Sequence, residues 1–251
     1  MRLLLVGDSH ANARWWADTV VSTAQRSGAE RIIQLGDFGY WPRHSTGRSF
    51  LATVASGVER AGIPVDFIDG NHEDHGVLQR RATAPYEVAP GVRHLPRGHR
   101  LEHGGVHFLA LGGAHSVDRN VRTVGVDWFP DETLDLGDLE RAETGAAVDV
   151  LLAHDTFSGY DLPTTLPAEK IPSWLTREFA ASRAHRELVR SVVDAVHPQL
   201  VVHGHYHSRY SRQLRLDGHA VRVEGLDRDG STGAFLAIDV ADGGYEVRTW
   251  H

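Results

Sequence analysis

Residues 2–12 read RLLLVGDSHAN, an apolar run that ends in a glycine, an aspartate and, two positions later, a histidine. A short apolar run bounded by glycine is typical of a buried β-strand, so we predict a strand over Arg2–Asp8. The next apolar residues recur with the spacing of one helix face, at Ala13, Trp16, Ala17, Val20, Val21 and Ala24. The opening of the chain therefore predicts a strand followed by a helix.

The same alternation continues through the first half of the chain, where we predict strands over 31–37 and 65–70 and a helix over 50–61. Buried strands separated by helices are typical of a parallel sheet with helices on both faces. Residues 92–114 alternate short runs with glycine-centred turns, which predicts antiparallel hairpins. The other predicted elements are strands over 148–154 and 200–203, a helix over 185–196, short strands over 210–250 and a mobile loop over 156–172.

The composition limits the classes of protein to which the chain can belong. Its 251 residues are 41% hydrophobic and can bury a substantial core, so we expect a single domain over residues 1–251. It has no apolar stretch of about 18 residues and no signal-peptide pattern, which predicts a cytoplasmic protein that does not enter a membrane. A formal net charge of -7 argues against a generally basic surface, so nucleic acid is only a secondary candidate partner.

Chemically active side chains follow the predicted strands at the points where those strands end. Because the carboxyl ends of parallel strands share one edge of a sheet, these side chains are expected to converge there. The sequence has no cysteine, and its mixture of imidazole, carboxylate and amide donors suits manganese, iron or zinc. The residues concerned are Asp8, His10, Asp37, Asn71, His72, His154, His203 and His205.

Five short motifs carry a resemblance to a known family. GDSH, GDFG, GNHE, a separate His154 and GHYH follow one another along the chain. In this order and spacing they resemble the motifs of the calcineurin-like metallophosphoesterases. The resemblance implies an α/β fold, a four-layer α/β/β/α sandwich in which two mixed β-sheets are flanked by helices.

The resemblance also implies a centre of two divalent metal ions. Carried over motif by motif, it assigns one ion to Asp8, His10, Asp37 and His205, and the other to Asp37, Asn71, His154 and His203. Asp37 would bridge the ions, and a hydroxide between them would attack phosphorus in line with the leaving group. Manganese is the expected metal, with iron, zinc or nickel as alternatives.

His72 and Asp37 are the predicted catalytic residues. The resemblance makes His72 a cleft histidine that contacts phosphate and acts as a general acid or as an electrostatic stabiliser of the leaving oxygen. The alternative is a histidine that only supports its turn. Glu73 and Asp155 either orient metal ligands or are ordinary helix-start or surface acids.

Several residues beside the motifs are candidates for contact with the substrate. They are Asn12, His115, Arg119 and His207, with Arg122 and Arg209 as further candidates. Asn12 would serve equally well as a helix cap, and the arginines as solvated surface residues. Phe38, Tyr40 and Trp41 form either a wall on which a nucleobase stacks or ordinary loop packing.

The expected function is that of a binuclear metal-dependent phosphoesterase acting on phosphodiesters or nucleotide-type substrates. Phosphomonoesters and phosphoproteins are the alternative substrates, although GDFGYWP lacks the aspartate–arginine pair that follows this motif in Ser/Thr protein phosphatases. An alternative of another class is a noncatalytic, metal-bound scaffold that binds proteins. The sequence leaves the oligomeric state open.

Overall fold

A computed structural model of the protein describes residues 1–78 and 84–249, so Trp250, at the end of the last predicted strand region, lies outside the described residues. The strands are β1 (Arg2–Val6), β2 (Arg31–Leu35), β3 (Val65–Ile68), β4 (Tyr86–Ala89), β5 (Val92–His94), β6 (Arg100–His103), β7 (Val106–Leu111), β8 (Val150–Ala153), β9 (Leu200–His203), β10 (Tyr210–Leu216), β11 (His219–Gly225), β12 (Phe235–Ala241) and β13 (Gly244–Thr249).

The helices lie mainly in the connections between parallel strands. α1 (Ala13–Trp15) continues through a π-helical turn (Trp16–Val20) into α2 (Val21–Ser27). The others are α3 (Ser45–Ala61), α4 (His75–Leu78), α5 (Leu136–Glu143) and α6 (Thr176–Val196). None of the helices described is long and apolar enough to cross a bilayer.

The strands form two mixed sheets. The first has the order β13-β12-β1-β2-β3-β5-β4, and β1, β2, β3 and β5 are parallel to one another. The second has the order β10-β11-β9-β8-β7-β6, with β11, β9, β8 and β7 parallel. In each sheet the parallel strands therefore present their carboxyl ends along one edge.

Three apolar clusters separate four layers. One packs the first sheet against α1–α3, one fills the space between the two sheets, and one packs the second sheet against α5 and α6. Leu3, Leu5 and Ile33 face the second sheet, whereas Leu4 and Ile32 face the helices, as the two-residue period of a strand requires. The expected pair of mixed sheets flanked by helices is confirmed.

Three parts of the chain differ from the sequence prediction, one of them α3, which begins at Ser45 instead of residue 50. Residues 92–94 were expected in an antiparallel hairpin, but β5 also pairs in parallel with β3 and extends the first sheet, while β6 and β7 form the expected hairpin. α6 begins at Thr176 instead of residue 185. Its first turns bury the polar Glu178 and Ser182, so an apolar pattern could not reveal them.

Phe108 tests the core between the sheets because its side chain is completely buried there. We expect Phe108→Ala to lower the free energy of unfolding by about 3–5 kcal/mol, since it removes a large apolar side chain and leaves a cavity. The measurement is urea unfolding followed by circular dichroism. His107→Ala, at the exposed neighbouring position, is the control, and an equal loss in both variants would contradict the assigned layers.

Candidate metal centre

The loops that follow the central strands of both sheets meet at one place. Asp8 follows β1, Asp37 follows β2 and Asn71 follows β3, while His154 follows β8 in the other sheet. The carboxylates of Asp8 and Asp37 lie within 4.8 Å of the His154 imidazole, in a group whose members are all buried. Residues far apart in the sequence thus supply one polar cluster.

Asp37 lies between two sets of donors. Its Oδ2 is 3.6 Å from Nε2 of His10, and its Oδ1 is 3.4 Å from Nε2 of His154. The carboxylate is 2% exposed, so it faces protein groups on both sides and little water. Each of its oxygens is therefore available to a different side of the cluster.

The first side of the cluster consists of Asp8, His10 and His207. Nε2 of His207 lies 3.0 Å from Oδ2 of Asp8, and Nε2 of His10 lies 4.0 Å from the same oxygen. This buried oxygen receives no hydrogen bond within residues 1–78 and 84–249. Since a buried charge needs compensation, an unpartnered carboxylate oxygen facing imidazole nitrogens fits a cation between them.

The second side of the cluster consists of Asn71, His154 and His205. Oδ1 of Asn71 is 3.1 Å from Nε2 of His154, and the His205 ring lies 5.0 Å from the His154 ring. Nδ1 of His154 is 2.7 Å from the carbonyl oxygen of Leu35, which assigns the proton to Nδ1 and leaves the Nε2 lone pair for the cluster.

The ring nitrogens of His203, which the sequence interpretation assigned to the second ion, lie beside groups that do not belong to the cluster. Its Nε2 is 2.6 Å from the Tyr210 hydroxyl and its Nδ1 is 2.9 Å from the carbonyl oxygen of Gly204. Both ring nitrogens are therefore engaged with protein groups. The two histidines of GHYH are His205 and His207, and these are the ones that reach the cluster.

The electrostatics of the cluster favour positive charge. Burial opposes protonation of His10, but the hydrogen bond and charge of Asp37, together with Asp8 and Asp229, raise its pKa to about 9. A site that holds a proton on an imidazole this strongly is one where a divalent cation is also attracted. The donor set and its charge therefore fit metal ions.

The backbone of the cluster is strained. Seven non-glycine residues of the described chain have positive φ, and four of them are His10, Asp37, His205 and His207. Left-handed backbone is unfavourable for side chains with a Cβ and is retained mainly where function requires it. This concentration of strain independently marks the cluster as a functional site.

Two glycines let the loops approach closely. A Cβ on Gly70 would lie 2.2 Å from Oδ1 of Asp37, and one on Gly204 would lie 2.2 Å from Oδ1 of Asp8. Neither glycine has a positive φ. Their role is therefore to leave room for the carboxylates.

His72 lies at the border of the cluster. Its backbone N–H donates to Oδ1 of Asp37 at 2.8 Å, and its Nε2 is 3.4 Å from Nη2 of Arg122. Arg122 is held by Asp118 and is partly exposed. Burial lowers the pKa of His72, and the charge of Arg122 lowers it further against the effect of Asp37. An imidazole and a guanidinium thus stand together at the open side of the cluster.

Glu73 and Asp155, the two acids whose roles the sequence did not decide, both support the loops that carry the cluster residues. Glu73 accepts hydrogen bonds from the backbone N–H groups of Gly39 and Gly70, which joins the loops after β2 and β3. Burial and the charge of Asp37 raise its pKa to about 8. Asp155 accepts a hydrogen bond from the Tyr206 hydroxyl, and it therefore supports the loop that carries His205 and His207.

Most of the predicted substrate contacts serve other purposes in the structure. Oδ1 of Asn12 caps the first helix by accepting from the Trp15 N–H at 3.0 Å. His115 and Arg119 both pair with Glu178 of α6, and Arg209 pairs with Glu224. His207 joins the cluster.

The aromatic residues after β2 are engaged with other protein groups. Phe38 is fully buried and stacks on Phe67 at 4.5 Å, and Tyr40 is also buried. Trp41 donates from its indole to the carbonyl oxygen of His72 at 2.8 Å. None of these three geometries is a free stacking wall, so packing accounts for the motif.

Sequence reasoning missed three residues that position the proposed ligands. Asp229 lies 3.3 Å from Nδ1 of His10. The Ser116 hydroxyl accepts from Nδ2 of Asn71 at 2.9 Å and donates to Glu132 at 2.7 Å, which aims the Asn71 oxygen at the cluster. Ser116 directly follows His115, so the predicted substrate contact at His115 was the sequence signal nearest to it.

A comparison with models of known protein families shows the family of this chain. The model of the calcineurin-like phosphoesterase superfamily domain matches residues 1–223. The chain therefore belongs to this superfamily, which is metal-dependent, and it is a phosphoester hydrolase.

Two solved structures are similar to this chain at low identity. One is a conserved uncharacterized protein, a predicted phosphoesterase, from Streptococcus pneumoniae TIGR4; it has 10% identity and a TM-score of 0.38, covering 98% of this chain and 86% of that chain. The other is a novel phosphatase from Mycoplasma pneumoniae, with 11% identity and a TM-score of 0.44, covering 91% and 72%. No curated protein matches the chain.

Gly70 tests the close approach of the loops. We expect Gly70→Ala to weaken manganese binding at least tenfold, because the new methyl group would displace the Asp37 carboxylate and the His154 ring. The measurement is isothermal titration with Mn²⁺. Gly244→Ala is the control, since its nearest atom would be 3.7 Å away, and equal affinity in the two variants would contradict the proposed cluster.

Ser116 tests the support of Asn71. We expect Ser116→Ala to weaken manganese binding by about 10- to 100-fold, because the Asn71 amide loses the acceptor that fixes its orientation. Ser191→Ala, on the exposed side of α6, is the control. Unchanged affinity of Ser116→Ala in the same titration would show that Asn71 needs no such support.

Proposed function

We propose that this chain is a binuclear metal-dependent phosphoesterase whose two cations share Asp37. The observation that carries the proposal is the position of this buried carboxylate, with one oxygen toward His10 and the other toward His154. Two neighbouring dications repel each other, and a carboxylate between them reduces that repulsion. A single-ion site would not need donors on both sides of Asp37.

The proposed ligands differ from the sequence prediction in the last motif. One ion would be held by Asp8, His10, Asp37 and His207, and the other by Asp37, Asn71, His154 and His205. His207 replaces His205 at the first ion, and His205 replaces His203 at the second, because Nε2 of His203 lies beside the Tyr210 hydroxyl, whereas Nε2 of His154 lies beside cluster oxygens. Manganese remains the proposed metal, since mixed nitrogen and oxygen donors suit it.

The residues at the open side of the cluster support hydrolysis. Bound divalent cations would supply a water of lowered pKa and neutralise phosphoryl oxygens. Arg122 is in position to pair with a phosphoryl oxygen beside His72, since their nitrogens are 3.4 Å apart. His72 would donate a proton or a hydrogen bond to the leaving oxygen.

Phosphodiesters or nucleotide-type esters are the proposed substrates, with nucleic acid as one member of that class. Phosphomonoesters and phosphoproteins are the alternative, because the same cluster can act on either ester. A noncatalytic scaffold is less well supported, since the cluster retains both sets of donors together with His72.

The activity test combines metal removal with two substitutions. We expect the manganese-loaded protein to hydrolyse bis-p-nitrophenyl phosphate or p-nitrophenyl phosphate, EDTA to abolish the activity and added Mn²⁺ to restore it. His72→Ala is expected to lower kcat by about 100- to 10,000-fold with unchanged metal content, because the proton donor is lost. Asp37→Asn is expected to lose both activity and metal.

The exposed His107→Ala variant is the control for loss of a histidine. A folded, manganese-loaded wild type that cleaves neither ester would favour the scaffold, and wild-type turnover by Asp37→Asn would overturn the shared carboxylate. Cyclic nucleotides and short RNA or DNA, tested in the same assay, would then separate the substrate classes.

A further inference from the structure

A cavity of about 310 Å³ adjoins the candidate metal centre. His205 and Tyr206 line one end of it, and the His205 ring is only 5.0 Å from the ring of His154. A ligand phosphate at the cluster would therefore have this cavity within reach of its ester substituent. Small-molecule pockets have volumes of roughly 300–1,000 Å³, so the cavity suits a compact group.

The walls of the cavity are mostly apolar. They come from the loop after Ser116, the loop over residues 156–172 and the start of α6, and the apolar side chains are Val117, Leu162, Leu166, Ile171 and Phe179. Thr164, Thr165 and Ser182 add hydroxyl groups. Apolar walls with a few hydroxyls suit a ring system better than a peptide segment rich in charge.

The two arginines that line the cavity differ in their exposure and in their hydrogen bonds. Arg186 donates from Nε and Nη2 to the carbonyl oxygens of Phe157 and Tyr160 and lies over the Tyr160 ring, so that part of its guanidinium is already engaged. Arg183 is exposed and forms no ion pair with any residue that the structure describes. Within the described residues neither arginine pairs with a carboxylate, so the cavity combines an apolar interior with positive charge, which tolerates an anionic ester.

The walls are held together independently of a ligand. Glu178 of α6 pairs with His115 and Arg119 and accepts from Asn120, which ties the loop carrying Val117 to the helix carrying Phe179. His115 and Arg119 therefore hold two walls of this cavity together through their ion pairs with Glu178. A cavity formed in advance loses little free energy to ordering when it binds a rigid group.

We propose that this cavity binds the alcohol portion of the substrate, and that this portion is a compact aromatic ring system such as an aryl group or a nucleobase. This inference rests on the proposed function, because it places the ester phosphate at the metal cluster. It narrows the substrates to esters whose ring is close enough to the phosphorus to enter beside His205.

The test compares phenyl and 2-naphthyl esters of the class, mono- or diester, that the manganese-loaded protein hydrolyses. We expect the naphthyl ester to have a kcat/KM about tenfold higher, since its second ring buries more apolar surface. Thr164→Trp fills the cavity and Phe179→Ala removes part of its wall. Each variant is expected to bring the ratio of kcat/KM for the naphthyl ester to that for the phenyl ester close to one. Ala184→Trp, exposed on the same helix and outside the cavity lining, is the control.

Binding of 2-naphthylphosphonate, which cannot be hydrolysed, gives a second readout through its fluorescence. Its Kd is expected to rise about tenfold in Thr164→Trp and to stay unchanged in Ala184→Trp. Two outcomes would overturn the inference while the proposed function stands. One is hydrolysis of both esters with equal kcat/KM by the wild type. The other is a naphthyl preference and a Kd that remain unchanged in both cavity variants. Hydrolysis of neither ester would overturn the proposed function and this inference together.

Discussion

The burial of two carboxylates at the joint edge of the sheets is the constraint on which the rest of the structure depends. Asp8 and Asp37 are almost completely removed from water, and one oxygen of Asp8 has no hydrogen-bond donor within the described chain. Buried negative charge is costly unless positive groups compensate it. Imidazoles from both sheets surround these oxygens, so neither sheet alone could supply the site, and the packing of one sheet on the other assembles it.

A second layer of polar groups fixes the donors in turn. Asp229 holds His10, Ser116 and Glu132 orient Asn71, and Asp155 holds the loop of GHYH through Tyr206. Loss of a group that orients a ligand in this way typically lowers metal affinity by about 10- to 100-fold. The loops are thus more rigid than their lack of regular structure implies, because each one is tied by a buried side chain.

The sequence predicted the sheets and the identity of most cluster residues because both follow from local patterns. Apolar runs mark the parallel strands, and Asp8, Asp37 and His154 stand directly after them. The choice between His203 and His207 could not be made from strand ends alone, because His203 also ends a strand but turns toward Tyr210. The pairing of His115 with Glu178 was equally hidden, since the two residues are 63 positions apart. The single-domain expectation stays a prediction.

The left-handed backbone at His10, Asp37, His205 and His207 has an evolutionary consequence. These positions are constrained twice, by the donor atom and by the backbone, and the backbone alone would favour glycine or asparagine. Substitutions that relieve the backbone strain at these positions would therefore also remove the donor atoms. Replacing any of these residues by glycine would relieve backbone strain and remove a donor in the same step, so stability and the donor set oppose each other at these four positions.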